Sequence, residues 1–353
     1  MGTRELVCLE EVEAARRCIE RVARLTPMIE FSSTTASSRL LLKAENTQLL
    51  GSFKIRGAFN AVASLPGPEL SRGLVAFSSG NHGRAVAFAA KQLGAAATIV
   101  MPTSTPGIKV DAVRALGAVV ELVEPQERDS YPLELVRDTG ATLVHPFDSR
   151  AAIAGHASIG VEILDQAPQV GSVLVPVSGG GLISGIAVAI KTVRPEVAVV
   201  GVEPALAGDA AESFRTGRRV RWDESLSYRT LADGLRATAL GELPWIHIQQ
   251  LVDDIVTVTE DQISDTVRQL AVTAKQVVEP SGAVAAAAFL HGRFRPSDGH
   301  PVVAVLSGGN IAPELMASLL AQSSPRQDSY RNSVIPTVDS VIPTVDTADD
   351  FRS

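Results

Sequence analysis

Two open, twisted parallel-sheet α/β domains, the smaller inserted in the larger, are what this sequence of 353 residues predicts. Three observations carry that prediction. Short, nearly uninterrupted apolar runs alternate with helix-length segments, the pattern of parallel strands covered on both faces. Glycine-rich turns follow several of those runs, at the strand ends where open α/β sheets bind ligands. The rhythm is also played twice, briefly between Ser71 and Phe147 and then with longer units. The larger domain is expected at residues 1–70 and 148–325, the smaller at 71–147, and a flexible tail at 326–353.

From the N-terminus, residues Leu9 to Leu25 space Val12, Ala15, Ile19 and Val22 at helical intervals between charges, an amphipathic helix that Thr26-Pro27 ends. Leu40–Glu45 reads as a strand leading into Gly51-Ser52-Phe53-Lys54-Ile55-Arg56-Gly57. Ser52 has the chemistry of an N-cap, for a helix from Phe53 towards Ser64 that Pro66 stops. Strands are expected at Gly73–Phe77, Ala97–Met101 and Ala118–Leu122, with helices at Arg84–Leu93 and Pro106–Leu116. Beyond His145-Pro146-Phe147-Asp148 come a helix Ala151–Gln166, a strand Ser172–Val177, a helix ending at Val193 and strands Val197–Val202 and Ile255–Val258. Helices Asp261–Ala274 and Ser281–Leu290 and a final strand Val302–Leu306 complete the pattern. In the tail, Ser333–Asp339 is repeated as Ser340–Asp346, a Pro-containing segment with no helical or capping logic and no expected catalytic role.

Composition narrows the function. A hydrophobic content of 45% with 20% charged residues is that of an ordinary globular protein. A net charge of −7 and the lack of any Lys/Arg block argue against nucleic acid as a partner. Cys8 and Cys18 alone support neither a disulfide framework nor a cysteine metal site. Glu5, Glu10, Glu11 and Glu13 lie where a signal peptide needs an apolar run, and the longest apolar stretches are too short to span a bilayer. The expectation is a cytoplasmic protein acting on a small molecule, with no membrane.

Lys54 is the candidate nucleophile. It sits at the positive end of a predicted helix among apolar neighbours, and both effects disfavour the ammonium and free the amine to attack a carbonyl. The loop Ser178-Gly179-Gly180-Gly181 offers backbone N–H groups and a helix N-terminus, a ready cradle for phosphate, and three successive glycines exceed the need of a tight turn. Gly179–Ser184 also approximates a dinucleotide fingerprint, with Glu203 near the spacing of a ribose-binding acid, which would make an oxidoreductase. Ser184 stands where that fingerprint needs its third glycine, and the reading leaves Lys54 and Ser78-Ser79-Gly80-Asn81-His82-Gly83 unused.

Taken together, the Lys54 motif, the Ser78–Gly83 loop, Ser178–Gly181 and Ser307-Gly308-Gly309-Asn310 resemble the pyridoxal-phosphate enzymes of fold type II, the tryptophan synthase beta-like fold. Within these they look like the threonine/serine dehydratases and serine racemases, over nearly the whole chain to about residue 320. The resemblance implies that Lys54 holds pyridoxal 5'-phosphate as a Schiff base and then removes the substrate Cα proton. Phe53 would pack on the pyridine ring, Asn81 bond its phenolic oxygen, Ser307 bond its nitrogen, and Gly179, Gly180, Gly181 and Leu182 hold the phosphate through backbone N–H groups. Ser79, Asn81 and His82 would bind the substrate carboxylate, with Ser79 also placed as the second acid/base of a racemase. The implied reaction is β-elimination of water from an L-2-amino-3-hydroxy acid, giving a 2-keto acid and ammonia, with amino-acid racemisation as the alternative on the same residues.

Relatives of this type also imply a divalent cation, Mg²⁺ or Ca²⁺, at Glu203, the Ala207 carbonyl and Asp209, a donor set suited to a hard ion. They imply a homodimer or higher homo-oligomer. His156 stands where relatives commonly carry glutamine, Phe147 resembles the dehydratases more than the mammalian racemases, and Glu279-Pro280-Ser281-Gly282 lies where the family approaches the ring edge. With only a short tail after the catalytic unit, feedback control of the biosynthetic type is not expected.

Overall fold

A computed structural model describes residues 6–31, 38–78, 80–128, 130–296 and 299–321. The apolar runs become strands: β1 Met28–Phe31, β2 Leu40–Lys43, β3 Leu74–Phe77, β4 Ala97–Pro102, β5 Val119–Val123, β6 Thr142–Leu143, β7 Ser172–Pro176, β8 Ala198–Pro204, β9 Asp254–Val258 and β10 Val302–Val305. They form a six-stranded sheet in the order β1-β2-β10-β7-β8-β9 and a four-stranded sheet in the order β5-β4-β3-β6. Every residue of β2, β7 and β10 is buried, the signature of strands covered by helices on both faces. The pairings are parallel except at one edge, where β1 runs antiparallel to β2. The C-terminal repeat, Ser333–Asp346, lies outside the described residues.

Register explains why distant motifs meet. Val302 of β10 lies level with Leu40 of β2 on one side and Ser172 of β7 on the other. The carboxyl ends of these adjacent strands therefore emerge together, and each is followed by one of the loops singled out above: the Lys54 turn, Ser307–Asn310 and Ser178–Gly181. In the other sheet the same logic puts residues 78–83 at the end of β3, opening the helix Asn81–Leu93.

Two expectations need correction. Ser52 is not an N-cap: its backbone is extended (φ −163°) and it pairs with Gly308 as an isolated antiparallel bridge, while the helix Lys54–Ala63 starts from Phe53. The sheet won the competition for Ser52, since a bridge uses its backbone groups where a cap would use its side chain. The first helix ends at Ile19, not Leu25, its buried stripe being Val12, Ala15 and Ile19.

Beneath the Lys54 helix lies a buried charge cluster. Arg56, 1% exposed, donates to Glu45 (2.9 and 2.8 Å), to Glu162 (2.6 and 2.9 Å) and to Ser158 (3.1 Å). Lys43, fully buried, donates to Glu162 at 2.5 Å and to Gln166 at 2.8 Å. Two cations thus meet two carboxylates, tying β2, the Lys54 helix and the helix Arg150–Gln166 into one unit. Removing one partner strands a buried charge. Arg56→Met is therefore expected to cost about 3–5 kcal/mol in urea unfolding. Arg39→Met, at a pair with Glu30 more than half exposed, should leave the midpoint essentially in place.

Candidate active site

The Lys54 turn is held in a conformation that the chain would not choose alone. Leu50 and Gly51 both lie in the left-handed region, at φ 65° and 77°. Gly51 is required on two counts, since a Cβ there would also lie 2.5 Å from Asn310 Oδ1. Hydrogen bonds from the loop after β10 hold the turn: Gly309 N to Gly51 O (2.9 Å), Phe53 N to Ser307 O (3.1 Å) and Asn310 Nδ2 to Leu50 O (2.8 Å). The result projects Lys54 from the first position of its helix into a cleft of about 490 Å³. Its amine donates to Pro146 O at 2.8 Å and lies 5.0 Å from the centroid of the Phe53 ring. Burial without a counter-ion lowers the Lys54 pKa to about 8.

The same cleft is lined by Phe53, Asn81, His82, Gly179, Gly180, Gly181, Leu182 and Ser307. Gly180, at φ 90°, caps the helix Gly181–Val193, so the backbone N–H groups of the first turn open at the glycine loop with the positive end of the helix dipole. Side chains have no room here: a Cβ on Gly179 would overlap the Phe147 ring, and one on Gly180 would come within 2.8 Å of Pro244. Phe53 meets His156 edge-on, with ring centroids 4.9 Å apart. Ser307 Oγ sits at the end of β10, 3.4 Å from Ser281 O.

The helix Asn81–Leu93 begins three residues earlier than its alanine-rich sequence implied, so Asn81 and His82 occupy its first turn. The His82 imidazole is buried and engages Val144 O at 2.8 Å, and burial with the nearby Lys54 charge pushes its pKa down to about 3. His82 is thus held in its neutral form, its side chain packed against the Val144 carbonyl. Ser79 lies outside the described residues. His156 is likewise buried and held well below its ordinary pKa by burial and by the Lys54 charge. Its imidazole fills the space beside Gly57, where a Cβ would overlap it.

Glu279, expected near the ring edge, and Asn310, the last residue of a motif already singled out, had no role assigned from the sequence. Glu279, 6% exposed, accepts from Asn81 Nδ2 at 2.7 Å, and Asn310 Nδ2 donates to Asn81 Oδ1 at 2.7 Å. Asn310 closes a motif that already stood out, and Glu279 precedes the proline that opens the helix Pro280–Leu290. Neither position announced its partner, 229 and 198 residues away. The Pro146 carbonyl carries no side-chain signal at all.

Away from the cleft, Glu203 and Asp209 are completely buried beside Ala207. Glu203 Oε2 accepts from Ala211 N at 2.8 Å, but Glu203 Oε1 and both Asp209 oxygens lack partners. Burial and the facing carboxylate raise Glu203 well above its ordinary value, and burial raises Asp209 to about 7. Among the described residues no group of three or more His, Cys, Asp or Glu side chains is arranged to hold a metal, so this pair with one carbonyl is a smaller donor set.

An amine held close to neutrality, a glycine cradle at a helix N-terminus, a ring-sized apolar wall and a hydroxyl at a strand end define a site for a phosphorylated, carbonyl-bearing aromatic cofactor. Comparison with known proteins agrees. The family of pyridoxal-phosphate dependent enzymes matches residues 19–308. The chain is 42% identical over 310 residues to an L-threonine ammonia-lyase of Thermotoga maritima, covering 87% of this chain and 76% of that protein. It is 38% identical over 311 residues to a serine racemase of Oryza sativa subsp. indica, covering 86% of this chain and 91% of that protein. The crystal structure of serine racemase from Dictyostelium discoideum superposes with a TM-score of 0.81 at 35% identity, covering 87% of this chain and 99% of that one. The chain belongs to the pyridoxal-phosphate-dependent enzymes of fold type II.

The residues present fit that cofactor: the cradle excludes side chains and leaves N–H groups for a phosphate, and Lys54 is the one lysine amine among the cleft-lining residues seated between the Phe53 ring and the Pro146 carbonyl. With Lys54 near 8, the reactive neutral amine grows ~tenfold per pH unit below that value. The rate at which cofactor-free protein takes up pyridoxal phosphate, followed by absorbance, should accordingly climb between about pH 6 and 8 and then level off.

Proposed function

We propose that the protein is an ammonia-lyase of the threonine/serine dehydratase type, eliminating water from an L-2-amino-3-hydroxy acid to give a 2-keto acid and ammonia. The observation that carries this reading is Lys54, a buried amine whose pKa is lowered to about 8, in a cleft whose other walls fit the cofactor. Bound there, pyridoxal phosphate supplies an electron sink for negative charge developing at the substrate Cα. Gly179, Gly180, Gly181 and Leu182 would hold its phosphate, Phe53 its ring face, Asn81 its ring oxygen and Ser307 its nitrogen. Ser307 is a neutral partner, which leaves that nitrogen under no obligation to carry charge and suits a short-lived carbanion with a leaving group at Cβ. Ser79 and the backbone of Asn81 and His82 would orient the substrate carboxylate at the helix N-terminus. Lys54, once displaced, would take the Cα proton and could return it to the departing hydroxyl, which leaves as water; hydrolysis of the resulting enamine then consumes a water and gives the 2-keto acid and ammonia.

Racemisation at the same site is the second reading, supported by the 38% identity to the rice serine racemase. It needs an acid on the face opposite Lys54. His82 does not suit that task, being neutral and committed to Val144 O, so the burden falls on Ser79. Turnover of the cofactor-loaded protein on a panel of L-3-hydroxy amino acids separates the two. Keto acid and ammonia are expected from one substrate class, with Lys54→Ala reducing the rate by ~10²–10⁴-fold or more. A D-isomer accumulating faster than keto acid would transfer the assignment to racemase.

We also propose that Glu203, Asp209 and the Ala207 carbonyl hold Mg²⁺ or Ca²⁺. Two buried carboxylates with three unpartnered oxygens repel each other unless a proton or a cation lies between them. At pH 8, above the Asp209 value of about 7, either ion should raise the unfolding temperature by about 2–4 °C, and Glu203→Gln should abolish the increment.

A further inference from the structure

The side chain expected to meet the cofactor's ring oxygen is itself held from behind. Asn81 accepts at Oδ1 from Asn310 and donates from Nδ2 to Glu279, each at 2.7 Å. The Asn310 nitrogen also donates to Leu50 O at 2.8 Å, so the chain of bonds begins at the strained Lys54 turn. Flipping the Asn81 carboxamide would break both of its bonds, and in the observed orientation one N–H remains for the cleft that Asn81 lines. Glu279 has little freedom either. Its backbone N donates to Gly308 O at 3.1 Å, its carbonyl accepts from Gly282 and Ala283, and a Cβ on Gly308 would overlap its carboxylate.

We propose that Glu279 is a positioning residue that sets, through Asn81, how firmly the cofactor's ring oxygen is held, so that gain or loss of the Glu279 proton shifts the ionisation of that oxygen. The inference rests on the reading of Asn81 given above. An ionised Glu279 makes the remaining Asn81 N–H a poorer donor and places negative charge behind it, and both effects disfavour a second negative charge on the ring oxygen. Protonation of Glu279 relieves both. The groups facing Glu279 tune where this happens. Burial and then Asp233 push it up to about 7, while the Asn81 bond, Lys109 and Arg84 act in the opposite direction. Lys109 is largely spent on Asp233, at 2.8 Å, whereas the buried Nε of Arg84 has no partner.

The direction is diagnostic: simple proton loss from the ring oxygen increases its ionised form with pH, whereas a coupled Glu279 decreases it. The test is the absorbance of the cofactor-loaded enzyme between about pH 5.5 and 8.5, for wild type, Glu279→Gln and Asn81→Ala, beside the cofactor dissociation constant and circular dichroism. In wild type the band of the ionised ring oxygen should recede as pH rises through about 7. Glu279→Gln should lose that pH dependence while binding cofactor within about twofold, and Asn81→Ala should alter the spectrum at every pH and weaken binding by ~5–10-fold. A wild-type spectrum that is flat or titrates in the ordinary direction overturns the proposal without any variant having to fold. A Glu279→Gln titration identical to wild type, with Asn81→Ala altered, overturns the role of Glu279 alone. An unchanged Asn81→Ala spectrum overturns the reading of Asn81 and the inference with it.

Discussion

The backbone pairing between the Lys54 turn and the loop after β10 is the constraint on which the site depends. Leu50 and Gly51 adopt left-handed geometry, and a non-glycine residue there costs ~1–2 kcal/mol against ordinary conformations. That cost is offset by the Ser52–Gly308 bridge and the bonds to Ser307, Gly309 and Asn310. Once the turn is set, the amine and the hydroxyl at the end of β10 have a fixed relation, because Phe53 and Ser307 share a hydrogen bond. The buried cluster of Arg56, Glu45, Glu162 and Lys43 secures the same helix from the other side. The lysine thus emerges from a turn clamped at both faces, and its low pKa is a consequence of place, with burial as its cause.

Electrostatics in the cleft follow a consistent pattern. Lys54, His82 and His156 are all pushed towards their neutral forms by burial, the two histidines also by the lysine charge. Glu279 is pushed the same way, up to about 7, so burial moves each of these groups from its ordinary value towards its neutral form. The same burial strengthens the dipoles that face the cleft, above all the helix N-termini at Gly181 and Asn81. Anionic groups are then met by backbone N–H donors, which stay in place whatever the pH.

Much of this was legible in the sequence because the signals are local. Apolar runs such as Ser172–Val177 and Val302–Leu306 cannot be exposed, and glycines after them mark strand ends, so two parallel sheets and their loops could be read directly. The antiparallel edge β1 was missed: its Met28–Phe31 has four residues, of which only Phe31 is buried, too little pattern to declare a strand. Ser52 misled because its residue type favours a cap, while its partner Gly308 lies far along the chain. Glu279 and Asn310 stayed without roles for the same reason, since no spacing rule connects them to Asn81. Local chemistry names candidates, and sheet register decides which of them touch.

The placement of β10 bears on how the enzyme comes into being. Among the described residues this strand is the last of the ten to be made, yet it lies between β2 and β7, near the middle of its sheet. Until residues 302–310 arrive, the carboxyl ends of β2 and β7 have no strand between them, and Leu50 and Gly51 lack the bonds from Asn310 and Gly309 that hold their strained conformation. A chain emerging N-terminus first would therefore fold its smaller sheet from contiguous sequence while the larger one waits for closure over some of the longest sequence separations in the molecule. A chain cut before residue 302 would carry Lys54 without the bonds from Ser307, Gly309 and Asn310 to its turn.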